Sequence, residues 1–403
     1  METLTNSPPK ATEKTVAQSA PLSWWLGWAV FLGISWTWCI GMFLPVLLVR
    51  DYGMTGWVVF AIPNVLGAAA MGWVIKSRDQ SVAITTHHRL ACQLFSAVTI
   101  AFHLFFALAF IAGLAEAIVS NRKILDLAVG GIIGCSVILY VYLTRRPGAG
   151  RTLAWIVLLI SLTAFGFLLP DLFSSSSSRI VEPMRSISDL IWLVPVCIFG
   201  FLGCPYLDLT FHRARQNANR PRMAFGVGFG VVFFLMIIFT LLYARLLTRG
   251  LFTPWIAIFI FVHMSVQSIF TVTAHARELR SAVFASIITG VLTIASWIAL
   301  EVIRDHTTRD HTMYQLLTAE MIYRIFMGFY GLIFPAYIWL VMLPSRGGKP
   351  ILQHLVLFAI AVLIAMPMFW MGFIEQKMVW LAPGLGVVLI SRIFLKPFRN
   401  PCV

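Results

Sequence analysis

The chain has 403 residues, of which 59% are hydrophobic and 11% charged, and it carries 14 tryptophans and 32 phenylalanines. Soluble domains are about half apolar and about a quarter charged, so this composition excludes a soluble enzyme and predicts a membrane domain. The net charge of +14 does not require a nucleic-acid partner, because lysine and arginine accumulate in the cytoplasmic loops of membrane proteins.

A polar segment at residues 1–21 precedes the first apolar run, and its composition predicts a disordered cytoplasmic tail. After it, apolar runs of about 20 residues, the length that crosses the hydrocarbon core, recur to the C-terminus. They predict about twelve spans, at 23–49, 54–75, 90–116, 124–144, 151–173, 189–209, 223–248, 253–275, 281–303, 316–343, 351–373 and 378–395. The expected fold class is therefore an all-α polytopic membrane protein, with a single transmembrane domain over residues 22–403.

Lysine and arginine are unevenly divided between alternate loops. With the N-terminus inside, the inner segments hold nineteen of these residues and the outer segments ten, and Arg324 lies within a span. Positively charged loops stay on the cytoplasmic side, so both termini are expected in the cytoplasm. The predicted location is the plasma membrane, as the inner membrane of a bacterium, and the lipid bilayer is the expected surrounding partner.

Glycine and proline interrupt two of the predicted spans, at 33–41 in the first and at 200–205 in the sixth. Such residues free backbone groups, which in lipid must be satisfied by protein, water or a ligand. A matched pair of interrupted helices, one opening each half of the chain, points to a transporter site between inverted repeats. The alternative is that these glycines and prolines serve helix packing alone.

Residues 22–76, a tryptophan-rich, glycine-broken helix followed by a span with proline and glycine, resemble the first two core helices of the sodium:solute symporters. The stretch DLTFHRARQNANRPRMAFGVGFG at 208–230 is similar to the end of the sixth core helix and its basic connector in that family. The arrangement of five plus five spans resembles the leucine-transporter fold of the amino acid–polyamine–cation superfamily. The resemblance implies inverted repeats at 22–173 and 188–343, with two extra helices at 350–395.

The same resemblance implies a sodium site built from backbone carbonyls at the first break, near Gly33, and from hydroxyls of the eighth span. This sequence offers Ser265, Ser268 and Thr271 there, although the adjacent hydroxyl pair usual in the family is absent. Ser265 and Ser268 are one helical turn apart and share a face. The expected coupling ion is Na⁺ or H⁺, with no other cofactor.

Candidate substrate-site residues are the aromatic, polar and ionisable groups in or near the interrupted spans. Ionisable groups at membrane depth are costly and default to functional hypotheses. Asp208 is suited to bind a cation, accept a proton or cap a half-helix, and His263 to carry a coupling proton if it faces a cavity. The full set is Trp36, Trp38, Asn64, Gly203, Tyr206, Asp208 and His263. The alternative role is helix packing, or for Asp208 a solvated position at the inner membrane interface.

Glu320 and Arg324 are four residues apart in the tenth span, in the favourable order for a helical ion pair. Two roles stay open for this pair: a structural link, or a gate that breaks and reforms during transport. The six cysteines contain no C-x-x-C pair, and histidine and cysteine show no zinc spacing, so neither a disulfide framework nor a metal site is predicted. A catalytic constellation and an ATP-binding loop are also absent from the sequence, which argues against an enzyme.

The sequence therefore predicts a secondary active transporter that moves a small solute by alternating access, coupled to Na⁺ or H⁺. One alternative is a non-transporting sensor or subunit that keeps the transporter fold and acts through a membrane partner. A less favoured alternative is an intramembrane lipid-modifying enzyme. The expected partners are a small-molecule solute and the bilayer.

Overall fold

The computed structural model describes residues 23–119, 122–146, 148–173, 182–248, 253–305, 311–345 and 348–395. The predicted tail at 1–21 lies outside these residues. Within them the chain is helical with short connections and no strand. The helices are α1 Ser23–Ser35, α2 Cys39–Val74, α3 Arg78–His87, α4 Arg89–Phe106, α5 Ala112–Val119, α6 Arg122–Arg145, α7 Ala149–Phe173, α8 Leu190–Gly203, α9 Leu209–Asn217, α10 Pro221–Val227, α11 Phe234–Thr248, α12 Pro254–Glu278, α13 Val283–Asp305, α14 His311–Gly328, α15 Phe334–Tyr337, α16 Leu352–Phe369 and α17 Leu381–Ser391.

Short π-helical turns join some of these helices end to end, so that each joined set runs as one segment. Such turns lie between α4 and α5, between α10 and α11, between α14 and α15, and after α15 and α16. Nine segments of the described chain are long and apolar enough to cross a membrane, and three shorter apolar segments lie at Trp24–Ser35, Gly130–Tyr142 and Met378–Phe394. The chain is therefore an all-helical, multi-pass membrane protein, as its composition predicts.

The longest helix, α2, contains the end of the first predicted span and all but the last residue of the second. Gly53 divides it, with φ +64° and ψ −150° inside an otherwise helical run. This left-handed backbone favours glycine, because any other residue would bring its Cβ into conflict with the chain. The kink therefore separates the predicted spans 23–49 and 54–75.

The first span is interrupted, as its glycines predict. Helix α1 ends at Ser35, the backbone of residues 36–38 leaves the helix, and α2 begins at Cys39. Gly33 allows this half-helix to lie against the π-turn after α10, since a Cβ at Gly33 would stand 2.6 Å from the carbonyl oxygen of Gly228. The result is two half-helices whose facing ends lie inside the protein.

The sixth span is also interrupted, at residues 204–208, which overlap the end of the predicted break at 200–205. Helix α8 continues to Gly203, a 3₁₀ turn covers Cys204–Leu207, and Asp208 is extended before α9. Gly200 and Gly203 lie within α8 and do not interrupt it. Each allows a neighbouring segment to approach the helix closely. A Cβ at Gly200 would lie 2.8 Å from a backbone oxygen of the α14 segment.

The predicted sixth span, 189–209, agrees with the apolar segment Ile187–Leu207, and the interrupted helix continues beyond it. The basic stretch that follows it forms α9, and α9 is packed inside the bundle rather than extending as a connector. Phe211 and His212 of this helix are buried, and Arg215 is 7% exposed. The sixth span therefore consists of two half-helices, α8 and α9, and only residues 218–220 connect it to α10.

Helix packing is reciprocal between the two halves of the chain. Helix α1 packs on α10 and the π-turn after it, while α8, the predicted counterpart of α1 in the second half, packs on α2. In the same way α12 packs on α6 and α4 packs on α13, and the pairs α2–α11 and α4–α12 join the halves. Two inverted repeats are expected to exchange contacts in this manner, with the interrupted helices at their interface. The repeat boundaries themselves stay predictions.

Candidate solute cavity between the interrupted helices

The backbone groups freed at the first break are bonded within the break itself. The hydroxyl of Thr37 donates to the carbonyl of Gly33 at 2.8 Å, and that of Ser35 donates to Leu32 at 3.1 Å. The indole N–H of Trp38 donates to the carbonyl of Ser35. The carbonyl of Gly33, predicted as a cation ligand, therefore already accepts a hydrogen bond.

Neighbouring helices hold the start of α2 in place. The backbone N–H of Cys39 donates to Nε2 of His103 on α4 at 3.1 Å, and its carbonyl accepts from the hydroxyl of Tyr323 on α14 at 3.1 Å. The carbonyl of Gly41 accepts from Thr240 on α11 at 2.9 Å. Three different helices therefore orient this second half-helix, and His103 acts as a buried hydrogen-bond acceptor.

Asp208 occupies the second break and caps the half-helix that follows. It is fully buried, and Oδ1 accepts from the backbone N–H and the hydroxyl of Thr210, both at 2.7 Å. Its other oxygen, Oδ2, is buried without a partner among the described residues. The hydroxyl of Thr210 is 3.5 Å from that of Ser35, and the ring of Phe211 lies 4.9 Å from Trp36. The two breaks are therefore in direct contact.

A cavity of about 80 Å³ lies beside the two breaks, between α2, α8 and the α14 segment. Trp36, Trp38 and Asn64 of the predicted site line it, and the indole of Trp36 donates to Oδ1 of Asn64 at 2.6 Å. The rest of the lining is mainly apolar, aromatic or sulfur-containing: Ile40, Gly41, Leu44, Leu47, Leu48, Asp51, Tyr52, Leu193, Val196, Cys197, Gly200, Phe201, Cys204, Tyr323, Arg324, Met327, Tyr330, Gly331, Phe373 and Met378.

Gly203 and Tyr206, also predicted for this site, lie elsewhere. Both line a groove of about 730 Å³ between α8, the α14–α15 segment and α17. A Cβ at Gly203 would stand 3.0 Å from Pro335, which gives this glycine a packing role. The structure therefore does not bring these two residues to the cavity between the breaks.

His263 is likewise directed away from the cavity. Its Nδ1 lies 3.0 Å from the hydroxyl of Ser161 on α7, and its ring packs 4.6 Å from Phe239 on α11. The side chain is completely buried. The structure places it at the junction of α7, α11 and α12, where it packs against neighbouring helices.

The hydroxyls of Ser265, Ser268 and Thr271 on α12 are buried and have no hydrogen-bond partner among the described residues. At about 100° per residue, Ser268 and Thr271 lie within about 40° of His275, whereas Ser265 lies about 80° away. His275 packs 5.6 Å from Trp38 at the first break. Ser268 and Thr271 therefore share the side of α12 that turns toward this break, and Ser265 does not.

A network of charged side chains closes the far end of the cavity. Glu320 accepts two hydrogen bonds from Arg50, at 2.8 and 2.9 Å, and two from Arg324, at 2.9 and 2.6 Å. Asp51 accepts from Arg50 at 2.7 Å and lies 3.5 Å from Arg324 and 3.9 Å from Arg185. We call Arg50, Asp51, Arg185, Glu320 and Arg324 the charged network, and its end of the bundle the network end.

The charged network joins segments that are distant in the sequence. Arg324 also donates to the carbonyl of Phe373 at 3.4 Å, and Arg185 donates to Gln376 after α16. Asp51 and Arg324 belong both to the network and to the cavity lining. The sequence alone predicts only the Glu320–Arg324 pair. The adjacent charges Arg50 and Asp51, at the end of the first span, are the signal that could have indicated the rest of the network.

The fold and this site together define an integral multi-pass membrane protein with a small internal cavity. Among the described residues, no group of three or more His, Cys, Asp or Glu side chains is arranged to hold a metal ion.

No protein family and no curated protein matches the sequence. Among solved structures the chain is similar to a manganese transporter from Eremococcus coleocola in complex with an aromatic bis-isothiourea substituted compound, at 12% identity over 91% of this chain and 92% of that one, with a TM-score of 0.49. Two mutants of that transporter are similar at 14% and 13% identity, over 96% of each chain, with TM-scores of 0.45 and 0.44. At such identities and TM-scores, these similarities assign neither a substrate nor an ion to this chain.

Proposed function

We propose that this chain is a secondary transporter that moves a small solute by alternating access. The observation that carries the proposal is the contact between two interrupted helices beside an internal cavity, whose far end is closed by breakable ion pairs. Discontinuous helices at the interface of two repeats are a common way to build a transport site at mid-membrane. The charged network then serves as the gate at one end, which extends the predicted Glu320–Arg324 pair to five residues.

The cavity lining indicates the class of solute. Its walls are aromatic and aliphatic, with Asn64 near the breaks and Asp51 and Arg324 at the network end. Ligand sites usually have volumes of about 300–1,000 Å³, so a cavity of about 80 Å³ corresponds to a closed conformation that must widen to load. We therefore expect a small, largely apolar or aromatic solute with one polar end.

The unpartnered oxygens support coupling to a cation. A buried polar atom without a partner is costly, and such atoms in native structures call for an explanation such as a bound ion or water. Ser268, Thr271 and Oδ2 of Asp208 all have this property. Hydroxyl and carboxylate oxygens suit a hard cation, and a carboxylate also suits a proton. We propose Na⁺ or H⁺ as the coupling ion, with these residues as its ligands.

Thermal unfolding of the purified protein tests this function. A ligand that binds only the folded state stabilises it in proportion to occupancy. A library of small apolar and aromatic solutes is screened with Na⁺ or K⁺, at two pH values. A solute-dependent rise in Tm that increases with Na⁺ or changes with pH supports coupled transport, and no rise with any solute contradicts it.

A non-transporting subunit is the second candidate, and one observation favours it. The freed backbone groups at the first break are already bonded by Thr37, Ser35, Trp38 and His103, so no solute is needed to satisfy them. A subunit would keep the network closed permanently. The accessibility of the cavity, which is measured without knowing any solute, separates the two candidates.

A further inference from the structure

A second pocket lies at the opposite end of the bundle from the charged network. The first turns of α1 and α7 and the last turns of α9 and α12 meet there around a space of about 260 Å³. Its lining includes three aromatic residues of α1, Trp24, Trp28 and Phe31, and three arginines, Arg151, Arg213 and Arg277. The positive-inside pattern of the sequence predicts that this end faces the cytoplasm.

Positive charge dominates the pocket. Three arginines line it, and one adjacent carboxylate, Glu278, forms an ion pair with Arg213. Arg213 also lies 5.2 Å from the ring of Phe31 and donates to the carbonyl of Ala274 at 3.4 Å, while its Nε is buried without a partner among the described residues. One carboxylate therefore does not balance the arginines that converge here.

Arg151 is held flat against the start of α1. Its guanidinium lies 3.9 Å from the ring centre of Trp24 and 5.4 Å from that of Trp28. A Cβ at Gly27 would stand 3.3 Å from Cδ of Arg151, so this glycine makes room for the stem of the side chain. Stacking on an aromatic face leaves the N–H groups at the edge of a guanidinium free to donate.

Two further features of the pocket favour an anion. Trp28 is 8% exposed, and its indole N–H is buried without a partner among the described residues. The 25-residue helix α7 begins beside the pocket after Gly148, whose φ of +97° sets the turn. The N-terminus of a helix carries partial positive charge and unbonded N–H groups.

We propose that this pocket binds a phosphate-type oxyanion through Arg151, Arg213, Arg277 and the indole N–H of Trp28. Planar guanidinium groups match tetrahedral oxyanions because they donate two parallel hydrogen bonds. The phosphate belongs either to the headgroup of an anionic phospholipid or to a soluble phosphate ester. Its binding links α1, α7, α9 and α12 and stabilises the packing of these four helices.

Two measurements on the full chain test the proposal and separate the two sources. Isothermal titration calorimetry with inorganic phosphate, in neutral detergent at constant ionic strength, detects a soluble anion. Thermal unfolding in nanodiscs of phosphatidylcholine, with and without phosphatidylglycerol, detects a headgroup. Arg277→Gln is expected to weaken binding by about 10- to 100-fold, the usual effect of losing one charge-assisted contact. Arg222→Gln, an exposed arginine outside the pocket, is the matched control and is expected to leave binding unchanged.

Phosphate binding that is weakened to this extent in Arg277→Gln assigns the site to a soluble anion, and unchanged binding in that variant overturns the proposal. Stabilisation by phosphatidylglycerol alone, also reduced in that variant, assigns it to a lipid headgroup. Trp28→Phe keeps the ring and removes only the unpartnered N–H, so it tests the site if Arg277→Gln does not fold. Absence of both effects in the wild-type protein, or an equal loss in Arg222→Gln, overturns the proposal.

Discussion

Replacing Glu320 by Gln keeps the shape of the side chain and removes the charge that holds Arg50 and Arg324 together. Four hydrogen bonds of 2.6–2.9 Å to this carboxylate are weakened at once. Breaking a fully buried ion pair costs about 3–5 kcal/mol. Glu320 is 9% exposed and Arg50 is 32% exposed, so solvent screening reduces the cost to about 2–3 kcal/mol. If the network is a gate, this change raises the equilibrium constant for opening about 30- to 150-fold.

Cys197 reports this opening, because it lines the cavity below the network and is only 8% exposed. In a variant that keeps Cys197 as its single cysteine, the rate of modification by a polar methanethiosulfonate is measured in detergent. When opening and closing are faster than modification, the rate follows the open fraction, so Glu320→Gln is expected to accelerate it by the same factor. Glu375→Gln, an exposed glutamate beyond α16, is the matched control.

An unchanged rate of Cys197 modification in folded Glu320→Gln refutes the reasoning, because the network then does not stabilise the closed cavity. Equal acceleration by Glu375→Gln refutes it as well, because the effect would reflect general loosening of that end. Slow modification in both variants, together with no solute-dependent rise in Tm, is the result that the subunit hypothesis expects.

Three further outcomes are expected. Gly33→Ala should destabilise the fold by about 1–3 kcal/mol through overpacking, because the new Cβ would lie 2.6 Å from a backbone oxygen. In the control Gly230→Ala the new Cβ has no atom within 4 Å, so this variant should unfold at an unchanged temperature. Burial and the neighbouring His87 lower the pKa of His88 to about 4. Between about pH 6.5 and 4 the unfolded state therefore binds more protons than the folded state. The free energy of unfolding then decreases as the pH falls, by about 2 kcal/mol from pH 7 to pH 5. His88→Gln should lose less stability over that interval, and equal losses in chemical unfolding would contradict the assignment. Asp208→Asn and Ser268→Ala should remain folded and lose the effect of Na⁺ or pH on solute-dependent Tm; a retained effect in both would remove these residues from the proposed ion site.

The membrane spans could be predicted because length and hydropathy are local properties. The existence of both interruptions could also be predicted, since glycine and proline cluster in only a few spans. Their exact positions could not, because a glycine serves equally well to break a helix or to let a neighbour approach. Gly200 does the second, and the break falls after it, where Pro205 and Asp208 end the helix.

The site was harder to predict because its contacts join residues that are far apart in the chain. Arg50 and Glu320 are separated by 270 positions, and each is unremarkable beside its own neighbours. The sequence places Tyr206 and His263 within predicted spans, but only the packing of the helices shows that they lie outside the cavity. Trp36 and Trp38 could be predicted because they lie in the first break itself, and Asn64 because an amide within an apolar span needs a polar partner.

Helix α1 is a short helix in which a rotation near one end displaces the residues at the other end. Its 13 residues extend over about 20 Å, and Trp24 lies about 13 Å along the axis from Gly33. If α1 pivots where Gly33 meets Gly228, a tilt of about 15° carries Trp24 about 3.5 Å sideways. If the tilt carries the ring of Trp24 directly away from Arg151, their distance increases from 3.9 Å to about 7 Å, beyond the range of about 6 Å over which a cation attracts an aromatic ring. A small rotation at a glycine is then sufficient to remove a cation–π contact about 13 Å away, at the far end of the helix.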